Sequence, residues 1–491
     1  MKKISIAGLL CAVFLMCVPG ARSQQSTPDQ GGSTPVAPEQ PLTPENTAVS
    51  GNGNGAAAAP AGRALLGGGE ADASQDSTET DQLPLSGAEQ LMVPGAQPRN
   101  YFDASGLFSG SGDSGVINAQ DAPTWGASEV VGGELAYNRS WGTDRFSLAY
   151  FGGGVLYQPS ALYPASMFQT LSVGQQFNWK RLTLRLLDQF SYSPNSLFGG
   201  AGIGGPGLLA ETGQTTSALN PVYGTNDTVL TGQSRLINNS AIAEIQYNFS
   251  PRASFTATGS AMLLDYVGGG YNSTHGYVGG AGYNYMITAK DTVAVTYSFT
   301  QNEYIGLAEN LSFQQVNLAY ARQVSGRLVF QISAGPELIA PHDYTPSVGS
   351  SLSWSLATSV QYRLQRTTFG ANYSRGANAG SGVFVGATSQ YVDATASHEF
   401  SRFLVGVVNV GYSLSNGLAN EPGVSNQYHN WFTGLSLGRQ LGRFAHVSFN
   451  YGAEQQPGSG VCPVTSCGTG LVVQTVGVSL DLHLHPLGPG E

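Results

Sequence analysis

Thr292-Val293-Ala294-Val295-Thr296-Tyr297-Ser298-Phe299-Thr300 alternates between large apolar and small or hydroxylated residues. Successive side chains of an extended strand point to opposite faces. Val293, Val295, Tyr297 and Phe299 therefore share one face, and Thr292, Ala294, Thr296, Ser298 and Thr300 the other. A helix would instead place its apolar residues three and four apart. The polar face carries no charge, unlike the exterior of a soluble sheet, and this suits the hydrated interior of a closed barrel whose apolar face meets lipid.

The same split recurs along the chain. Trp354, Leu356, Val360 and Tyr362 stand against Ser353, Ser355, Ala357, Ser359 and Gln361; Ala445, Val447, Phe449 and Tyr451 stand against His446, Ser448 and Asn450. A final copy sets Val476, Val478, Leu480, Leu482 and Leu484 against Thr475, Gly477, Ser479, Asp481, His483 and His485. Composition agrees. The chain has 66 Gly, 23 Tyr and 21 Phe, but only 11% charged residues, against roughly 25% in an average globular protein. Something other than water faces much of its surface. No stretch after the N-terminus reaches the roughly 18 apolar residues of a spanning helix, which excludes a helical membrane protein.

Basic residues supply a second periodicity. Arg139 and Arg145, Lys180 and Arg181, Arg252, Lys290, Arg322 and Arg327, Arg363 and Arg366, Arg402, and Arg439 and Arg443 fall at short turns, each preceded by an aromatic or large apolar residue. Short turns of an outer-membrane barrel face the periplasm, with an aromatic girdle at the headgroups and long cations snorkelling past it. Longer Gly-, Asn-, Ser- and Pro-rich stretches, such as 268–273, 341–349, 416–426 and 455–468, join the opposite strand ends. Pairing strands two by two across eight basic turns, with a terminal strand at each end, gives about 16–18 strands, eighteen being the direct count. The first is the weakest, because Asn100 to Phe108 is a poor strand candidate. The basic turns repeat about every 35 to 41 residues except between Arg181 and Arg252. The excess there is a connection over 195–235, which either lies as a mobile surface loop or folds into the lumen as a constriction.

The ends read differently. Lys2 and Lys3, the apolar run Ile4 to Val18, and Ala21-Arg22-Ser23 form an export signal over 1–23, cleaved after Ser23. Met16 before Cys17 breaks a lipobox. Residues 24–98, rich in Gln, Ser, Thr, Pro, Gly and Ala, bury too little apolar surface to fold and are expected to form a disordered periplasmic tail. The barrel occupies 99–491. Of the four cysteines, Cys462 and Cys467 remain in the exported chain, and an oxidising compartment favours a local disulfide between them.

Enzyme and cofactor signals are weak. The glycine run 199–207 lacks the Gly-Lys-Ser/Thr ending of a phosphate loop. His483 and His485 share a strand face beside Asp481, which permits a metal, but rim or lumen positions explain them without one. Ser448 between His446 and Asn450 follows the lumen pattern, and a catalytic triad is recognised by geometry rather than order. No cofactor, no metal site, no catalytic residue and no nucleic-acid partner is expected. Candidate lumen-lining residues are Arg185, Glu244, Gln246, Thr296, Ser298, Gln361, His446 and Asn450.

The dyad pattern, aromatic girdle, short basic turns and strand number resemble those of bacterial outer-membrane porins, across roughly the last four-fifths of the chain. The resemblance implies an outer-membrane protein folded by the barrel-assembly machinery, in contact with lipid and lipopolysaccharide, and passing small hydrophilic solutes. It departs from the pattern in continuing past Leu484 to Glu491 instead of ending on an aromatic residue. With few inward charges visible, weak charge selectivity and neutral polar cargo are expected. An export conduit or assembly component for a surface polymer, a lipid-modifying enzyme and a surface-binding barrel are the alternatives, since fold alone does not choose.

Overall fold

In the computed structural model, residues 100–117, 123–158, 165–193, 235–267, 271–344, 348–380, 384–419, 426–455 and 472–484 are described. The expected export signal and tail lie outside them. So do the 195–235 connection, except for Arg235 at its end, and both Cys462 and Cys467.

All regular elements among the described residues are strands. They run β1 (Tyr101–Ile117), β2 (Pro123–Trp141), β3 (Asp144–Gln158), β4 (Ser166–Asn178), β5 (Leu182–Ser193) and β6 (Arg235–Ser250). They continue as β7 (Ala253–Val267), β8 (Thr274–Thr288), β9 (Asp291–Tyr304), β10 (Asn310–Ser325), β11 (Leu328–His342) and β12 (Ser351–Arg363). The last six are β13 (Thr367–Asn378), β14 (Ala387–Ser401), β15 (Leu404–Gly417), β16 (Gln427–Leu441), β17 (Ala445–Gln455) and β18 (Val472–His483). Each strand pairs antiparallel with the next, and β18 returns to β1 through Ser105↔His483 to Asp113↔Thr475. The sheet closes on itself. Among the described residues eighteen strands are present, and the doubtful first one extends well beyond Phe108.

The faces follow the alternation. On β9, Val295 and Tyr297 are exposed outward, whereas Thr292, Ala294 and Thr300 are buried on the inner side. On β18, Val476, Val478 and Leu482 are exposed while Thr475, Ser479 and His483 are buried. A mainly apolar exterior on a sheet closed by the β18–β1 pairing meets the two demands of lipid: few polar side chains to desolvate and few unpaired edge groups. The chain is a transmembrane β-barrel of the outer-membrane type.

Connections following even-numbered strands are two or three residues long, and those following odd-numbered strands are five or more. Four of the short turns share a construction. The hydroxyls of Ser250, Thr288, Ser325 and Ser401 accept the backbone N–H groups of Arg252, Lys290, Arg327 and Phe403 at 3.1–3.3 Å. This local turn chemistry replaces ladder bonds where the register shifts, at a bulge beside each turn. Aromatic rings gather at the same end. Phe177 stacks on Trp179 at 6.0 Å, Tyr247 meets Phe249 at 5.0 Å, and the Arg139 guanidinium lies 5.6 Å from the Trp141 ring.

Candidate pore wall and mouth

The inner wall is built by the register. Residues facing each other across an antiparallel pair point to the same side, so one inward side chain fixes its partners. Arg185 and Glu244 are such a pair on β5 and β6, and the guanidinium Nη1 donates to the carboxylate at 2.8 Å. Gln246 faces inward two residues on and donates to Asn248 at 3.4 Å. Thr296 and Ser298 share the inner face of β9, and Gln361 holds that face of β12, accepting from Arg363 at 3.4 Å.

His446 and Asn450 face inward on β17. His446 Nδ1 lies 3.5 Å from the Asp481 carboxylate, and Asn450 donates to Ser448, whose hydroxyl lies 2.6 Å from that of Ser479. On β18, His483 stands 3.4 Å from Asp103 of β1. Among the described residues, no three His, Cys, Asp or Glu side chains are placed to hold a metal.

Register also places on the inner face acids that the linear pattern left unassigned. Asp103, Asp113, Glu337, Asp393 and Glu454 are all buried there. Thr475 donates to Asp113 at 3.0 Å, and Asn372 donates to Asp393 at 3.1 Å. These hydrogen bonds offset part of the cost of removing carboxylates from water.

At the end carrying the long connections the interior changes character. Tyr304, Leu311, Phe313 and Ile339, on β9 to β11, form a buried apolar cluster, with Ala377, Val385 and Leu418 packed against it. The covering residues are 379–380 and 384–386 of the β13–β14 connection. Tyr304 donates its hydroxyl to the Ala379 carbonyl at 3.0 Å, and Tyr344 donates to the Val385 carbonyl at 2.8 Å. Asp343, at φ 61, turns the chain ahead of Tyr344 in the left-handed conformation that Asp tolerates better than most residues. Burial pushes the Tyr344 phenol pKa up, keeping it a neutral donor.

Gly386 has φ 83, and a Cβ there would run into Leu311 and Leu418. Only glycine combines that backbone with that approach. Phe384 then packs its ring 5.4 Å from Tyr428 of β16. This inward-held segment escaped the sequence reading, which singled out 195–235 for its length. Its signal was Phe384-Val385, apolar residues inside a Gly-, Ala- and Ser-rich connection.

No protein-family model matches the chain, and no curated protein matches it. Solved structures do. The outer membrane protein OpdK of Pseudomonas aeruginosa is 11% identical, over 78% of this chain and 98% of its own, with a TM-score of 0.41. OccAB4 of Acinetobacter baumannii is 7% identical, over 78% and 97%, at 0.40. Pseudomonas aeruginosa OccK2 (OpdF), solved in complex with glucuronate, is 11% identical, over 79% and 98%, at 0.39. The barrel assignment rests on the closed ladder itself, not on these likenesses.

Proposed function

We propose that the protein is an outer-membrane channel for passive passage of small hydrophilic solutes. The observation that carries this reading is the closed 18-stranded wall with a polar inner face, because a barrel of this strand number encloses an aqueous lumen unless loops fill it. Its short-turn end faces the periplasm, and its long connections face outward. The aromatic and basic rim contacts lipids of the periplasmic leaflet, the opposite end of the barrel meets lipopolysaccharide, and the barrel-assembly machinery inserts the chain. Residues 379–380 and 384–386, held inward, narrow the pore at the mouth, and the 195–235 connection is long enough to reach inside.

Single-channel recording in planar bilayers tests the reading. The intact protein should conduct, and deleting residues 199–231 should raise the unitary conductance. If both proteins are electrically silent, the channel reading fails.

A further inference from the structure

We propose that the barrel wall parts between β12 and β13, and that this seam admits a membrane-dissolved amphiphile with one acyl chain and an anionic head from the outer leaflet. The depth and side rest on the orientation argued above; the seam itself does not.

The ladder between β12 and β13 ends at Leu356↔Arg375. Both strands continue past that point, each paired on its far side only. β12 stays with β11 up to Ile339↔Ser351, and β13 stays with β14 up to Asn378↔Ala387. Facing edges are thereby left without ladder bonds, which a lipid environment penalises by several kcal/mol per unsatisfied group.

Side chains take the place of the missing ladder. Glu337 of β11, fully buried, reaches past β12 and accepts the Ala377 N–H with both carboxylate oxygens at 3.1 Å. Arg375 donates to the Trp354 carbonyl and lays its guanidinium 4.0 Å from the Trp354 ring centre. A latch of side chains can open without unzipping a strand pair.

The neighbouring ladder is interrupted beside the same place. The β10–β11 register passes from Gln315↔Glu337 to Leu318↔Ala334, skipping Gly335-Pro336. Pro336 has no N–H to offer the ladder. At Gly335 a Cβ would sit inside the radius of the Val316 carbonyl oxygen, so the backbones approach closely there. Asn317 of β10 then accepts the Ser355 hydroxyl of β12 at 2.7 Å, across the bare Gly335.

Chemistry on the two sides of the seam selects the occupant. Inside lie Leu311, Phe313, Ile339 and Val385. Outside, Leu338, Leu352 and Trp354 are exposed beside the Arg375 cation. Arg375 is nine residues along the chain from Arg366; at about 2.5 Å of height per tilted residue this is roughly 22 Å, near the top of an apolar band about 25 Å tall. A cation at headgroup level with a packed apolar cluster behind it fits an anionic head and one chain.

The test uses the full chain reconstituted in phosphatidylcholine vesicles containing a photoactivatable long-chain fatty acid, with labelled residues mapped by mass spectrometry. Ser355→Cys with Gly376→Cys, just above the last ladder pair, pinches the seam by a disulfide whose formation is checked by thiol titration. Label on Leu311, Phe313, Ile339 or Val385 in the wild type, lost in the oxidised variant and restored by reductant, is the expected result. Wild type with and without reductant controls for the native cysteines. Label confined to Trp354, Leu352 and Leu338, or inner label indifferent to the disulfide, overturns the proposal. Conductance of the same preparations reads the channel function separately, so either idea can fail alone.

Discussion

Replacing Val295 by Arg puts a cation on the lipid face at mid-depth. Val295 is five residues beyond Lys290 at the short-turn rim; at about 2.5 Å of height per tilted residue it stands roughly 12 Å into a band about 25 Å tall. Its side chain is 54% exposed, and its ladder partners Leu318 and Tyr283 are exposed on the same outer face. No polar partner is within the register. The expected cost is about 2–4 kcal/mol, the range for a cation near the midplane of a barrel's lipid face. Thr296→Arg carries the same charge one residue on, but toward the lumen, beside Gly282 and Asn317. Space and water are available there, and the cost should fall below about 1 kcal/mol. Reversible guanidinium unfolding from phospholipid vesicles, followed by tryptophan fluorescence, measures both. Equal losses, or a larger loss for Thr296→Arg, would refute the assignment of faces.

Arg185→Met should destabilise by about 3–5 kcal/mol, because it strands the fully buried Glu244; adding Glu244→Leu should recover most of that in the same unfolding assay. Sidedness is checked by cysteine labelling of intact cells: Arg402→Cys should resist an impermeant reagent, while a tag inserted at Gly458 should react. The reverse pattern would invert the barrel.

Strand faces were legible because a lipid-facing strand must alternate, as β9 does over 292–300 and β18 over 475–483. The strand number was legible through the basic turns. β1 was hard to see for a physical reason. Its outward face carries Phe102 and Phe108 but also Gly106, Gly110 and Gly112, and much of its apolar cover comes from neighbours, with Val131 opposite Phe108 and Val476 opposite Gly112. Inward acids were missed because their facing depends on register with strands distant in sequence, as for Asp113 beside Thr475. The parting of β12 from β13 leaves no trace in either strand alone. Only the Gly335-Pro336 step, a proline inside an alternating run, marks the region in the sequence.

The interior is divided by charge, which yields a prediction about selectivity. Asp103, Asp113, Glu134, Glu454 and Asp481 face inward on the four consecutive strands β17, β18, β1 and β2. Against them, the described residues of those strands set His446 and His483 but no inward Lys or Arg. The apolar mouth is centred on β10, nine strands round the barrel from β1 and so on the facing wall. A permeating ion therefore passes between a wall carrying five inward acids and one whose inward charge is the buried Glu337 of β11. One carboxylate about 8 Å from an ion in water contributes about 0.5 kcal/mol before screening, so several acting together bias entry toward cations. Screening shortens from about 10 Å at 0.1 M salt to about 3 Å at 1 M, so the bias should shrink as salt rises. Reversal potentials across a potassium chloride gradient should show potassium favoured over chloride at low salt. Asp113→Asn with Glu454→Gln, which keeps side-chain size, should reduce that preference without abolishing conductance. Chloride preference in the wild type, or a preference untouched by the double substitution, would show that the acidic wall does not act on the permeating ion.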